Sequence, residues 1–268
     1  MTLADYINYH LAVLEGHEVR HNVNLAVLAA ASTGPVPGLM TWTFGEPGRC
    51  AIKSPGRAIL IGELERSHCQ RLAEETKDVT YPGVVGPDQT AIWFVEHAVS
   101  LGMSFASPIP QRIYALTEGP RYPCAGGHAR IVNIDDAQLL AAWMDAFQRE
   151  AVPHDPPPRR EHIEKAACSG RYLFWAVNSQ PASMAGIVRR TRNTAAIAGV
   201  YTPPEKRGRG YAGSVTAALV ERAFAEGKKA VSLYADLRNP YSNRCYAKIG
   251  FKPVCDSFHY VRSFVASA

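Results

Sequence analysis

From residue 128 onward, polar and apolar positions fall into blocks of two alternating periods. HARIVNI (128–134) alternates as a strand. The next block puts Leu139, Leu140, Trp143, Met144 and Phe147 on one helical face, with Asp135 or Asp136 placed to cap it. The prolines of VPHDPPP stop that helix, because proline cannot continue the ladder. A short helical stretch over 159–168 leads into two strand-like runs, YLFWAV and ASMAGIVRR. AAIAGVYT makes a third, bounded by Asn193 and Pro203. A long helix follows, with Ala212, Val215, Leu219 and Ala223 on its inner stripe and Gly227 placed to end it. AVSLYAD is a further strand, YSNRCYAKIG a short helix closed by Gly250, and FKPVCDSFHYVRSF a terminal hairpin or strand pair.

The first 120 residues follow a similar order. Helices over about 3–14 and 23–31 precede three strand runs, LMTWTF, CAIKS and RAILIG. A helix over 63–75, the run VTYPGVVG, a helix from a capping Asp88 to Leu101, and RIYALTE complete the segment. Apart from a missing first strand, this is the C-terminal order again, repeated in topology and without visible sequence identity. The pattern predicts a mixed α/β (α+β) protein of two lobes, 1–122 and 127–268, joined by a linker at GPRYPCAGG.

Composition narrows the class. A chain of 268 residues with 47% hydrophobic and 20% charged positions can bury a core and does not read as disordered. No stretch approaches the roughly 18 to 20 apolar residues that a spanning helix needs. MTLADYINYHLAVLEG reads as an amphipathic helix rather than a signal peptide, so the expectation is a cytoplasmic protein without a membrane partner. Six cysteines without a CxxC pair read as reduced, mostly buried thiols. Nine histidines without an HExxH motif, His162 in EHIEK included, give no metal site. A net charge of +5 admits an anionic ligand but is too mild for a nucleic-acid footprint.

The segment YTPPEKRGRGYAGSVTAALVERAFAEG concentrates the candidate chemistry. Lys206, Arg207, Gly208, Arg209, Gly210, Tyr211 and Ala212 lie between a strand and a helix N-terminus. The first N–H groups of a helix have no internal partner, and the helix dipole favours an anion there. Glycines admit positive φ and close approach of the backbone. A phosphate or pyrophosphate suits such a corner. GxxxxGK[ST] and GxGxxG are both absent, so neither a P-loop nor a dinucleotide fingerprint competes. The bland reading is a solvated basic turn.

Arg207-x-x-Gly210-x-Ala212 resembles the [QR]-x-x-G-x-[GA] acetyl-CoA signature of the GCN5-related N-acetyltransferases, and NPYSNRCYAKIGF stands downstream where that family would place it. The resemblance covers about 128 to 265. It implies a twisted mixed sheet flanked by helices, in which two central strands splay apart and receive the pantetheine arm. It further implies that the backbone of Val200, Tyr201 and Thr202 binds the pantetheine amides and that Arg207 to Ala212 cradle the pyrophosphate. Asn239 would hold pantetheine, supported by Ser242 or Asn243, and Tyr246 would protonate the leaving thiolate. The alternatives are a turn residue at Asn239 and a packed aromatic at Tyr246. No acid stands in TAAIAGVYT to act as the base. Glu205 and Asp236 are the nearby acids, and ordered water is the further option.

In the N-terminal lobe, ELERSHCQRLAEET carries acids where the other lobe has Arg-Gly-Arg-Gly. Carboxylates there are expected to occupy the helix amides, leaving that lobe without acetyl-CoA and reducing it to a degenerate copy. The expected function is acetyl transfer from acetyl-CoA to a primary amine, with a homodimer left open. An amino-acid N-acyltransferase and a non-catalytic acetyl-CoA-binding module are the rivals.

Overall fold

The computed structural model describes residues 1–157 and 159–263. In chain order the elements are α1 (Leu3–Gly16), α2 (Asn22–Ser32), β1 (Met40–Thr43), β2 (Cys50–Lys53), β3 (Ile59–Ile61), α3 (Arg66–Thr76), β4 (Gly83–Pro87), α4 (Asp88–Ser100), β5 (Ser104–Phe105) and β6 (Ile109–Leu116). There follow β7 (His128–Ile131), α5 (Ala137–Ala151), α6 (Arg160–Cys168), β8 (Tyr172–Val177), β9 (Gln180–Arg190), β10 (Thr194–Tyr201), α7 (Tyr211–Ala225), β11 (Ala230–Asp236), α8 (Pro240–Ile249) and β12 (Lys252–Ser263). These elements form two compact units. The first holds residues 1–113, 236–238 and 254–268, and the second holds 114–235 and 239–253. Neither is a continuous segment, so the division differs from the 1–122 and 127–268 lobes expected from the sequence.

In the first unit the strands run β1-β2-β3-β4-β12, with β5 on β12. β3 and β4 are parallel, and the other pairs are antiparallel. The period of two along β2 sorts its side chains between two cores. Ala51 joins the cluster of Phe44, Leu72 and Phe94, against α3 and α4. Cys50 and Ile52 pack with Tyr6, Leu14 and Leu28, from α1 and α2. β12 is one continuous strand, not the predicted hairpin or strand pair; Ser257 to Val261 pair with Pro87 to Gly83. The last residue of that predicted run, Phe264, lies outside the described residues, as does Pro158 of the proline stop.

The second unit has strand order β11-β10-β9-β8-β7, with only β10–β11 parallel. β8 is again two-faced. Leu173 and Trp175 join the core under α7 and α8, while Tyr172 and Phe174 join that of α5 and α6. Asn133 and Asp136 together form the capping box of the short turn before α5, and Asp136, the N-cap residue of α5 without a side-chain cap bond to that helix, also pairs with Arg130 through both its oxygens. Asp88 likewise lies inside the first turn of α4, after N-cap Pro87. Gly227 (φ 82°) and Gly250 (φ 110°) end α7 and α8 in left-handed geometry, which glycine adopts without Cβ strain. GPRYPCAGG is not a free linker: Arg121 N–H donates to Ile249 C=O and Ala125 N–H to Ser214 Oγ, both inside the second unit. All six cysteines are free thiols, but only Cys50 and Cys69 are buried, and Cys124 and Cys168 are exposed.

Candidate active site

The site is built where β10 ends and α7 begins. β10 and β11 pair in parallel only from Thr194↔Ala230 to Ile197↔Leu233, and both strands run on past that point. On its other edge β10 slips register against β9 between Ala198↔Gly186 and Tyr201↔Met184. That slip sets Gly199 and Val200 opposite the single Ala185, one extra residue on β10, with Gly199 at φ 65°. A bulge of this kind bends the strand and re-aims its amides. The β11-facing edge of Ala198 to Tyr201 is thereby opened to an extended guest.

After β10 the chain makes a tight turn at Pro204–Lys206 and enters α7 through Gly208 (φ 77°) and Gly210 (φ 82°). Gly210 is the N-cap and has no side chain to offer the helix. The first backbone bond of α7 is Ser214 N–H to Gly210 C=O at 3.0 Å. Among the described residues, the amides of Gly208 to Gly213 donate to no protein acceptor. α8 contrasts with this: Asn239 Oδ1 accepts from the N–H groups of Tyr241 and Ser242. An uncapped N-terminus with a glycine backbone is an anion site in waiting.

The three cations of the corner play different parts. Lys206 Nζ donates to Pro181 C=O at 2.6 Å. Arg207 is clamped: Nε donates to Thr202 C=O, Nη2 reaches Glu150 at 2.6 Å, and the guanidinium lies over the Tyr201 ring. Arg209 is exposed, and no described residue pairs with it. Among the described residues Arg209 is therefore the unpaired cation of this corner, while Arg207 braces the loop.

Downstream, α8 carries Tyr246 into the core, 8% exposed and edge-on to Phe251 at 6.1 Å between ring centres. Burial pushes its phenol above the usual tyrosine range, so the group stays protonated at neutral pH. Its hydroxyl has no hydrogen-bond partner among the described residues.

Residues 137–251 match the family model described as Acetyltransferase (GNAT) family. Residues 137–251 are thus a GNAT acetyltransferase domain. Solved structures share the fold across nearly the whole chain. A GCN5-related N-acetyltransferase from Kribbella flavida aligns at 18% identity over 90% of this chain and 96% of its own, with a TM-score of 0.58. A GCN5-related N-acetyltransferase from Sphaerobacter thermophilus aligns at 13% identity over 98% and 93%, TM-score 0.59. A tandem GNAT protein from the clavulanic acid biosynthesis pathway aligns at 11% identity over 98% and 94%, TM-score 0.58. No curated protein matches the chain in sequence.

In the GNAT domain the expected residues divide into those with open groups and those already engaged. The amides of Arg209 to Ala212 are open, whereas the Arg207 amide donates to Pro204 C=O. The Thr202 hydroxyl is shared with Ser183 Oγ at 2.8 Å, and Ser183 also donates to Tyr201 C=O. Asn239 spends its side-chain oxygen as the α8 cap and offers only its amide hydrogens outward. Ser242 Oγ donates to Asn239 C=O, as does Asn243 Nδ2, and Asn243 Oδ1 accepts from Tyr114 at 2.8 Å. Asn243 thus braces α8. Of the two acids, Glu205 is exposed in the turn, and the Asp236 carboxylate is taken by the amide and guanidinium of Arg238.

Two residues went unseen in the sequence. Glu150, at the end of α5, is the partner of Arg207. Tyr122 packs on the first turn of α7, so close that a Cβ added to Gly213 would meet its ring at 2.2 Å. Both contacts join segments more than fifty residues apart, and no local pattern announces them.

Proposed function

We propose that the second unit transfers the acetyl group of acetyl-CoA to a primary amine. Family membership carries the coarser statement, acyl transfer from an acyl-CoA to an acceptor. The observation behind the finer reading is the run of unpartnered amides at Gly208 to Ala212 beside the opened end of β10. In this reading pyrophosphate lies on those amides, pantetheine extends along Val200, Tyr201 and Thr202 as if it were a strand, and Asn239 holds it through its amide hydrogens. A β10 N–H polarises the thioester carbonyl. The amine nitrogen bonds to the carbonyl carbon as the C–S bond breaks. The thiolate takes the Tyr246 proton, and the amine proton passes to ordered water, since no acid stands on β10. The first unit takes no acetyl-CoA, and the enzyme acts in the cytoplasm without metal, nucleic acid or membrane.

The test is thiol release from acetyl-CoA against a panel of primary amines. Amine-dependent release supports the proposal. Release only with longer acyl-CoA donors and amino acids would mark an amino-acid N-acyltransferase. Saturable acetyl-CoA binding with no turnover on any amine would mark a regulatory module.

A further inference from the structure

The first unit contains a cleft of about 660 Å³ that the acyl-transfer reading does not use. Its walls come from the end of α1, the β1–β2 connection, the entry to α3 and Trp93 of α4. The acids expected to cap α3 do not do so. Glu65 is the N-cap but makes no side-chain cap bond; it pairs with Arg49, and Glu63 pairs with Arg20. The first backbone bond of α3 is Cys69 N–H to Glu65 C=O, so the amides of Arg66 to His68 have no protein acceptor among the described residues.

The burial of these pairs is unequal. The Arg20 and Arg49 side chains are 35% and 31% exposed, whereas Glu63 and Glu65 are 63% and 60% exposed. The arginine side chains are the more buried partners, and the carboxylates stand at the rim in water. An exposed ion pair in high dielectric contributes little net stability, so a rim glutamate is displaced at little cost. A bidentate guanidinium–phosphate contact is stronger and geometrically specific. Arg66 adds a third guanidinium, paired among the described residues only with the exposed Glu96. Opposite the charges, Val13, Leu64 and Trp93 supply an apolar wall for the body of a ligand. His21, on the same wall, is held neutral by burial and can exchange hydrogen bonds without adding charge.

We propose that this cleft is a second binding site, taking a small phosphomonoester with a flat apolar body, its phosphate on Arg20 and Arg49 in place of Glu63 and Glu65. Phosphate presents more oxygens than a carboxylate and can engage both forks at once. The site is separate from the acyl-CoA corner, since every lining residue lies in the first unit.

The experiment titrates phenyl phosphate, with phenol as the neutral control, into the full chain carrying Gly210→Glu, which closes the α7 corner to phosphate. One site of phenyl phosphate binding should remain, with none for phenol. Adding Arg20→Gln and Arg49→Gln should weaken it at least tenfold. Glu46, 76% exposed, also pairs with Arg49 at Nε, so adding Glu46→Gln, Glu63→Gln and Glu65→Gln instead should tighten it about threefold to tenfold, because the three rim competitors are gone. Tightening cannot come from misfolding, so the glutamate variant guards against an uninformative loss. Binding that Gly210→Glu abolishes, or that the glutamate variant leaves unchanged or weakens, would overturn the proposal.

Discussion

Tyr246 occupies the position where the proposed chemistry is most exposed to test. Tyr246→Phe keeps the ring against Phe251 and removes only the proton. General acid contributions run from about 10² to 10⁴ in rate, and a CoA thiolate is a fair leaving group, so kcat should fall about 10²-fold with KM nearly intact. The acid must be protonated to act, so activity falls as pH rises through its pKa. Burial raises that pKa, which places the falling limb above the ordinary tyrosine value of 10, and the limb should vanish in the variant. A kcat within twofold of the parent, with chemistry rate-limiting, would remove Tyr246 from the mechanism. Arg209 is a second residue-scale case. As the unpartnered corner cation, Arg209→Gln should weaken acetyl-CoA about threefold to tenfold, more at low salt than at high salt. A titration at two ionic strengths checks it, and an effect equal at both would place the charge away from the phosphate.

At the scale of elements, some boundaries were legible and others were not. Asn239-Pro240 and Gly250 announce α8 because cap chemistry is local: the donors lie two and three residues away. Asn239→Ala should therefore cost about 1 kcal/mol of stability, whatever it does to binding, and thermal unfolding would show it. The partners of Glu63 and Glu65, in contrast, are Arg20 and Arg49, and nothing near α3 names them. Capping was the nearest explanation in sequence and proved wrong for that reason. β12 was misread as a pair for the same cause, since its partner β4 lies some 170 residues earlier. The tightness of that pairing has a consequence at Gly83, where an added Cβ would lie 2.2 Å from Tyr260 C=O. Backbone cannot step aside as a side chain can, so Gly83→Ala should destabilise the first unit by about 1 to 3 kcal/mol or more. Denaturant unfolding that matches the parent would contradict the register.

At the scale of the molecule, the chain passes from the first unit into the second and back, so neither unit survives as a simple N- or C-terminal half. The repeat of topology was visible in the sequence, because each half carries the same order of periods. The exchange of the last strand was invisible, since strand partners are set by tertiary contacts. Removing residues 252–268 should leave β4 without its β12 neighbour and raise hydrogen exchange at the Gly83–Gly86 amides. Unchanged protection there would contradict the division.

Acid also acts selectively on the first unit. Burial lowers the pKa of His21 from 6.5 to about 4, with Arg20 and His17 adding to the shift, and burial lowers that of His10 too. A histidine kept neutral in the fold contributes stability that is present above pH 6.5 and is lost as pH falls towards 4. Asp136 and Asp256, held below 3.8 chiefly by hydrogen bonds from Arg130 and Arg112, lose their contribution only below that range. The unfolding temperature should decline between pH 6.5 and 4, and His21→Gln should flatten that decline.

The central claim is that an anionic donor sits on the open amides at the head of α7, and Gly210→Glu tests it most directly. The substitution sets a carboxylate at a left-handed N-cap where the amides point, so it strains the turn and repels a phosphate. Calorimetric titration of acetyl-CoA into the folded variant should show affinity reduced at least tenfold, about 1.4 kcal/mol. Affinity equal to that of the parent protein would mean that the pyrophosphate lies elsewhere.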